Sequence, residues 1–199
     1  QMCIRDRVMA VLLVLAMALT MLPVVSAAKE RFTATPIDGI PESGQTFVIY
    51  SAPAGGVFSP EASGGAVGVS AASGSEESAN LTVQTGAGAY QAVKNTDGTY
   101  YLTCGGQYLT VNSAEKLTFE NEPKSGSSMS SKWKIADAGK DYDGFSIASA
   151  EVKYNNYEIF LEFYTSFKAW TYKPNSDWSI FVFRFFSVDG TADPDNDGY

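Results

Sequence analysis

Beyond Ala28 the helical period never takes hold. Short runs rich in Val, Ile, Thr, Tyr and Phe recur instead, divided by clusters of Gly, Ser, Asn and Pro. β-branched and aromatic side chains suit a pleated, half-buried surface, and the Gly and Pro clusters supply turns, so the pattern predicts an all-β chain. Strands are expected at Thr46–Ser51, Ala66–Ser70, Leu81–Thr85, Tyr90–Lys94, Thr99–Cys104, Gln107–Val111, Leu117–Glu120, Lys132–Ile135, Phe145–Ala148, Tyr157–Tyr164, Lys168–Tyr172 and Ile180–Val188. Asp97-Gly98 and Gly105-Gly106 read as hairpin turns, because both accept positive φ. The opening strands begin near 46, 99 and 144, and the closing ones near 81, 132 and 180. That suggests three four-stranded units repeating every roughly 45–55 residues. Three such units predict a β-trefoil-like closed barrel, which leaves no open sheet edge. A β-sandwich is the alternative.

The amino-terminal segment indicates where the chain works. Val8 to Leu22 is an uncharged apolar run preceded by Arg5 and Arg7, ended by Pro23 and followed by Val25-Ser26-Ala27. Fifteen residues fall short of spanning a ~30 Å hydrocarbon core, and the small residues at 25 and 27 form a cleavage site. Residues 8–27 are therefore expected to be a secretory signal peptide, and the protein to be secreted or held at the cell surface. No membrane insertion is expected after cleavage. No cysteine follows the apolar run, which argues against a lipid anchor. Gln1–Arg7 looks like a sequencing adapter read in frame, so residues 1–7 are set aside as an artefact. Residues 28–43 read as a linker, 44–188 as one all-β domain, and 189–199 as an acidic linker of a truncated chain with covalently linked downstream domains.

Charge and residue types narrow the chemistry. The net charge is −8, and removing residues 1–27 takes away two basic residues and one acidic one, leaving −9. An acidic surface offers no footprint for nucleic acid. The chain has no histidine. Without one there is no Ser-His-Asp or Cys-His arrangement, no usual zinc ligand set and no histidine base. Cys104, the one cysteine beyond the leader, cannot form an internal disulfide and reads as a buried small hydrophobe.

Half of the 26 aromatic residues fall between 154 and 186. Lys168, Trp170 and Tyr172 alternate along one strand and so share a face, with Ala169 and Thr171 on the other. Exposed rings beside polar groups suit stacking on the apolar faces of sugars. Tyr154, Asn155, Asn156 and Trp178 are expected to add hydrogen bonds and a second ring. Core packing is the competing account of these aromatics. Glu158 and Glu162 share a face about 13 Å apart, too far for a glycosidase carboxylate pair, and read as solvated charges. Asp177 would be needed as a third carboxylate for that chemistry. Asp193, Asp195 and Asp197, with Gly198, have the spacing with which calcium loops begin, but no closing Glu follows, so an acidic linker is favoured over a calcium site. No other cofactor is expected. Asn80-Leu-Thr82 is a formal glycosylation sequon.

Thr99-Tyr-Tyr-Leu-Thr-Cys-Gly-Gly-Gln-Tyr-Leu-Thr110, Leu161–Tyr172 and Phe181–Phe186 resemble a module of large secreted proteins of Gram-positive anaerobes. There it often occurs in several copies beside metallophosphatase or nucleotidase domains. The resemblance covers 44–188 and implies an accessory, non-catalytic role. The Tyr-Leu and Trp-x-Ile punctuation also resembles ricin-type β-trefoil lectins, although Ser131 stands where their Q-x-W motif has Gln. The expected function is an extracellular non-catalytic binding module for a glycan or cell-surface polymer. The alternative is the amino-terminal accessory or spacer domain of a larger secreted hydrolase. On either reading the chain itself is not expected to be an enzyme.

Overall fold

The computed structural model describes residues 31–73, 80–84, 87–171 and 177–188. Fifteen strands and one short 3-10 helix make up its regular structure, so the all-β expectation holds for these residues. Among them no helix is long and apolar enough to cross a membrane. Residues 8–27, read from the sequence as a signal peptide, lie outside the described ones.

Six strands follow one another in a circuit of antiparallel pairings. β2 (Thr46–Ser51) pairs with β6 (Tyr90–Lys94), β6 with β7 (Tyr100–Cys104), and β7 with β11 (Lys132–Asp137). β11 pairs with β12 (Phe145–Tyr154), whose Phe145 bridges Phe183 just before β15 (Arg184–Ser187). β15 then pairs back onto β2. Three hairpins extend from this circuit: β3–β4 (Gly56–Ser63, Ala66–Ser73), β8–β9 (Gln107–Asn112, Leu117–Glu120) and β13–β14 (Tyr157–Phe163, Phe167–Thr171). The Asp97-Gly98 and Gly105-Gly106 turns lie where expected, joining β6 to β7 and β7 to β8.

Period-two alternation sends one side of every circuit strand into a common core. Phe47 and Ile49, Tyr90 and Ala92, Leu102, Trp133, Ile147 and Phe185 all belong to it. Each fully buried large apolar side chain there contributes roughly 1.5–3 kcal/mol. Trp133 has no exposed surface, and its indole N–H donates to the Leu109 carbonyl at 2.9 Å. Ser131, standing where a lectin motif would carry Gln, is also buried. Its hydroxyl accepts from the Lys124 N–H at 2.9 Å and shares a hydrogen bond with Thr110 Oγ1 at 2.6 Å. Cys104 is buried and free, as expected, and burial pushes its thiol pKa up.

Four sequence expectations are corrected. Part of the presumed linker 28–43 is a strand, β1 (Arg31–Pro36), paired with β5 (Leu81–Gln84) and β15. Its Ala34 joins Val48, Tyr50, Val57, Leu81, Val83 and Phe186 in a second cluster, which covers the face of β2 turned away from the main core. β3 has no counterpart among the expected strands, because Ser59-Pro60-Glu61 breaks its apolar pattern. There the ladder with β4 shifts register between Phe58 and Ala62, which is where a proline is tolerated in a sheet. β5, expected as a closing strand, pairs outside the circuit with β1 and β4, and it is β6 that pairs with β2. The expected strand Ile180–Val188 begins as the 3-10 helix Trp178–Phe181, because the Asp177 carboxylate caps the Ser179 N–H at 2.9 Å.

Candidate functional site

β14 alternates as the sequence predicts. Phe167, Ala169 and Thr171 are buried, whereas Lys168 and Trp170 face outward, with Trp170 44% exposed. On β13, Phe160 stands opposite Trp170 and Glu162 opposite Lys168. Ala148 of β12 pairs with Phe160, and Lys134 of β11 with Ala148. Lys134, Ala148, Phe160 and Trp170 therefore form one row across four strands. The Trp178 ring lies 5.5 Å from Phe160, edge to face, and its N–H donates to the Ala138 carbonyl at 3.0 Å. Trp178 thus joins the aromatic surface as a half-buried support behind Phe160. Its one indole donor is used by the fold, so of the two roles expected from the sequence the hydrogen bond is already committed.

Tyr154, Asn155 and Asn156 occupy the tip of the β12–β13 hairpin, where Tyr154 pairs with Tyr157. Both tyrosines are exposed, at 42% and 56%. The two asparagines have φ of 49° and 68°, as required of the central pair in a two-residue hairpin turn. Their identity is thus accounted for by backbone geometry. The tip stands about 10 Å along β13 from Phe160, the rise of three strand residues. Tyr172, Asp193, Asp195 and Asp197 lie outside the described residues. Within the described residues no group of three or more Cys, Asp or Glu is placed to hold a metal ion.

The carboxylates separate by environment. Glu158 is exposed and bonded to Lys134 at 3.3 Å. Glu162 is buried at 6% exposure, which corrects its expected role as a solvated charge. Burial pushes its pKa up, Lys168 pulls it down, and Glu115 raises it again. Glu115 itself accepts the Thr171 backbone N–H at 3.0 Å. Asp177 serves as the 3-10 cap, accepting the Ser179 N–H.

A feature that sequence reasoning missed adjoins the 3-10 helix. A groove of about 420 Å³ lies between the end of β2, the loop after β11 and the start of β15. Tyr50, Pro53, Tyr142, Asp143, Ser179 and Arg184 are among its walls. Arg184 is ion-paired with Asp143. These residues come from three distant segments, so no local pattern announces them.

No protein-family model matches the chain, and no curated protein matches it either. Among solved structures, the fold is similar to a GlcNAcα1-4Gal releasing endo-β-galactosidase from Clostridium perfringens, with a TM-score of 0.49 and 18% identity. The match covers 78% of this chain and 35% of that one, so the chain spans about a third of the enzyme's length. The expectation that the chain is not an enzyme is corrected by this finding: the structure it resembles is that of an enzyme, and the exclusion does not stand. The likeness transfers no residue, substrate or mechanism.

Proposed function

We propose that the chain is a carbohydrate-binding domain that presents the Lys168–Trp170 face of β14 to a glycan or cell-surface polymer. The observation that carries this reading is the outward row of Trp170 and Phe160, backed by Trp178, beside the cation of Lys168. A rigid ring on a paired strand loses little conformational entropy when a sugar stacks on it. Its fixed neighbours keep that platform in place without the ligand.

The architecture we infer beneath it is a β-trefoil. The six-strand circuit closes by pairing, and each of the three hairpins follows the opening strand of one expected unit. On this reading the Lys168–Trp170 face belongs to the third hairpin, so the related hairpins β3–β4 and β8–β9 carry different chemistry on the same frame.

A glycan and cell-wall polysaccharide array tests the function, run with the chain and with Trp170→Ala and Lys168→Ala. Saturable binding that Trp170→Ala removes supports the reading. Binding that survives Trp170→Ala unchanged would place the site elsewhere.

A further inference from the structure

We propose that the groove between Tyr50, Tyr142 and Arg184 is a second carbohydrate subsite, which takes a neutral sugar ring bearing adjacent hydroxyls. The proposal rests on the carbohydrate-binding reading for the nature of its ligand, but it uses a separate set of residues.

The groove is built before any ligand arrives. Tyr50 is 8% exposed and its ring meets Phe186 edge to face at 5.7 Å, so one wall is fixed by the core. The opposite wall, Asp141-Tyr142-Asp143, sits on a loop pinned at several points. Ala138 N–H donates to the Gly144 carbonyl at 3.0 Å, and Tyr142 N–H to the Gly139 carbonyl at 3.1 Å. Trp178 holds the Ala138 carbonyl, and the Asp137 carboxylate accepts the Gly139 N–H at 2.7 Å. At the base, Phe145 and Phe183 exchange two backbone hydrogen bonds of 2.8 and 2.9 Å.

The chemistry of the walls selects the ligand. Tyr142 is 38% exposed and offers a ring, while Pro53 and Val182 add apolar surface. The Arg184–Asp143 pair sets donors beside an acceptor, the pattern that two neighbouring hydroxyls satisfy together. The Ser179 hydroxyl, whose proton goes to the Asp177 carboxylate, adds a further acceptor. Two aspartates against one arginine leave the lining at −1, which disfavours uronic acids and phosphates, and Arg184 disfavours a cationic ligand. A neutral polyol with one apolar face fits both restrictions. Because Trp178 supports Phe160 while Ser179 and Val182 line the groove, the same short helix separates the Trp170 platform from the new subsite.

The test follows backbone amide shifts of the 15N-labelled chain titrated with glucose, galactose, mannose and N-acetylglucosamine, with glucuronic acid as the anionic counterpart. Saturable shifts with a neutral sugar are expected at Asp141–Asp143 and Ser179–Arg184. Tyr142→Ala and Asp143→Asn should each weaken them at least about tenfold, as loss of a stacked ring or a charged hydrogen bond does. Tyr142→Phe should keep them, and so should Trp170→Ala. Shifts confined to Lys168–Trp170 would overturn the subsite while leaving the first reading intact. Shifts confined to the groove would support the subsite and overturn the Trp170 platform, and none at either place would overturn both. Equal affinity for glucuronic acid would overturn the neutral class.

Discussion

Phe160 and Trp170 stand opposite each other on β13 and β14, on the face that Ile159, Leu161 and Ala169 turn away from. Phe160 is held from behind by the ring of Trp178, and Trp170 is left 44% exposed. One member of the pair is therefore packing and the other is presentation.

That division sets the stability cost of Trp170→Ala. A cross-strand aromatic pair contributes about 1 kcal/mol beyond what alanine gives. The thermal midpoint is expected to fall by roughly 2–4 °C in a domain of this size. A thermal melt checks it. A loss on the order of 3 kcal/mol or more would put Trp170 in the core and remove the platform.

Asn156 distinguishes a turn residue from a ligand contact. At φ 68° it holds a conformation that glycine adopts without strain. Asn156→Gly is expected to stabilise the chain by about 0.5 kcal/mol and to leave glycan binding unchanged. Denaturant unfolding beside the array measures both, and a drop in affinity would restore the asparagine as a ligand contact.

How much of this was legible depended on whether the signal was local. Period two along Lys168-Ala-Trp-Thr171 placed Trp170 outward because one strand buries one face. The Asp97-Gly98 and Gly105-Gly106 turns were legible for a similar reason, as turn chemistry needs only neighbours. β1 was not, because the Thr- and Arg-containing run Arg31–Pro36 gains its strand state from pairing with β5 and β15. Glu162 looked solvated from its own strand, and its burial comes from elements packed around it. The groove is the extreme case, with Tyr50, Tyr142 and Arg184 brought together only by closure of β15 onto β2 and Phe145.

Glu162→Gln carries a pH signature. Burial raises the folded-state pKa above the ordinary 4.5, so ionisation is penalised more in the folded chain than in the unfolded one. The penalty is absent well below pH 4.5, grows as pH rises through the window up to the raised folded value, and is constant above it. The variant is therefore expected to be more stable than the parent at pH 7 and to lose that advantage in acid. Denaturant midpoints across this range check it. A less stable variant at pH 7 would mean that the opposing Lys168 outweighs burial.

Glu151 should behave in the opposite sense. Burial pushes its pKa up, but donors from Ser130 at 2.7 Å, Gly126 at 2.8 Å and Ser125 at 2.9 Å, together with Lys132, hold it below its ordinary value. Lys132 also reaches Asp97 at 3.1 Å. Hydrogen bonds from Thr99, together with Lys132, hold the Asp97 pKa at about 2. Both carboxylates contribute stability that is present above their unfolded values and lost as pH falls through the folded ones. Glu151→Gln should flatten the acid limb of the stability profile and speed proteolysis within residues 123–130. An unchanged cleavage rate would show that other contacts hold that loop.

Gly144 decides whether the loop beside the groove is as fixed as its hydrogen bonds imply. Its φ is 148°, and a Cβ there would lie 2.6 Å from the Phe183 carbonyl and 2.8 Å from Val182 Cγ1. The carbonyl belongs to the Phe145–Phe183 bridge that completes the strand circuit, so it cannot yield without loosening the base of the groove. Gly144→Ala is expected to destabilise by about 2–3 kcal/mol, from strained backbone plus a main-chain clash. Binding in the groove should fall with it while binding at Trp170 persists, since the atoms that crowd a Cβ at Gly144 belong to Val182 and Phe183. Amide shifts of the folded variant read both surfaces at once. An undisturbed groove would mean that the 138–144 loop adapts, and that Arg184 and Tyr50 alone define the subsite.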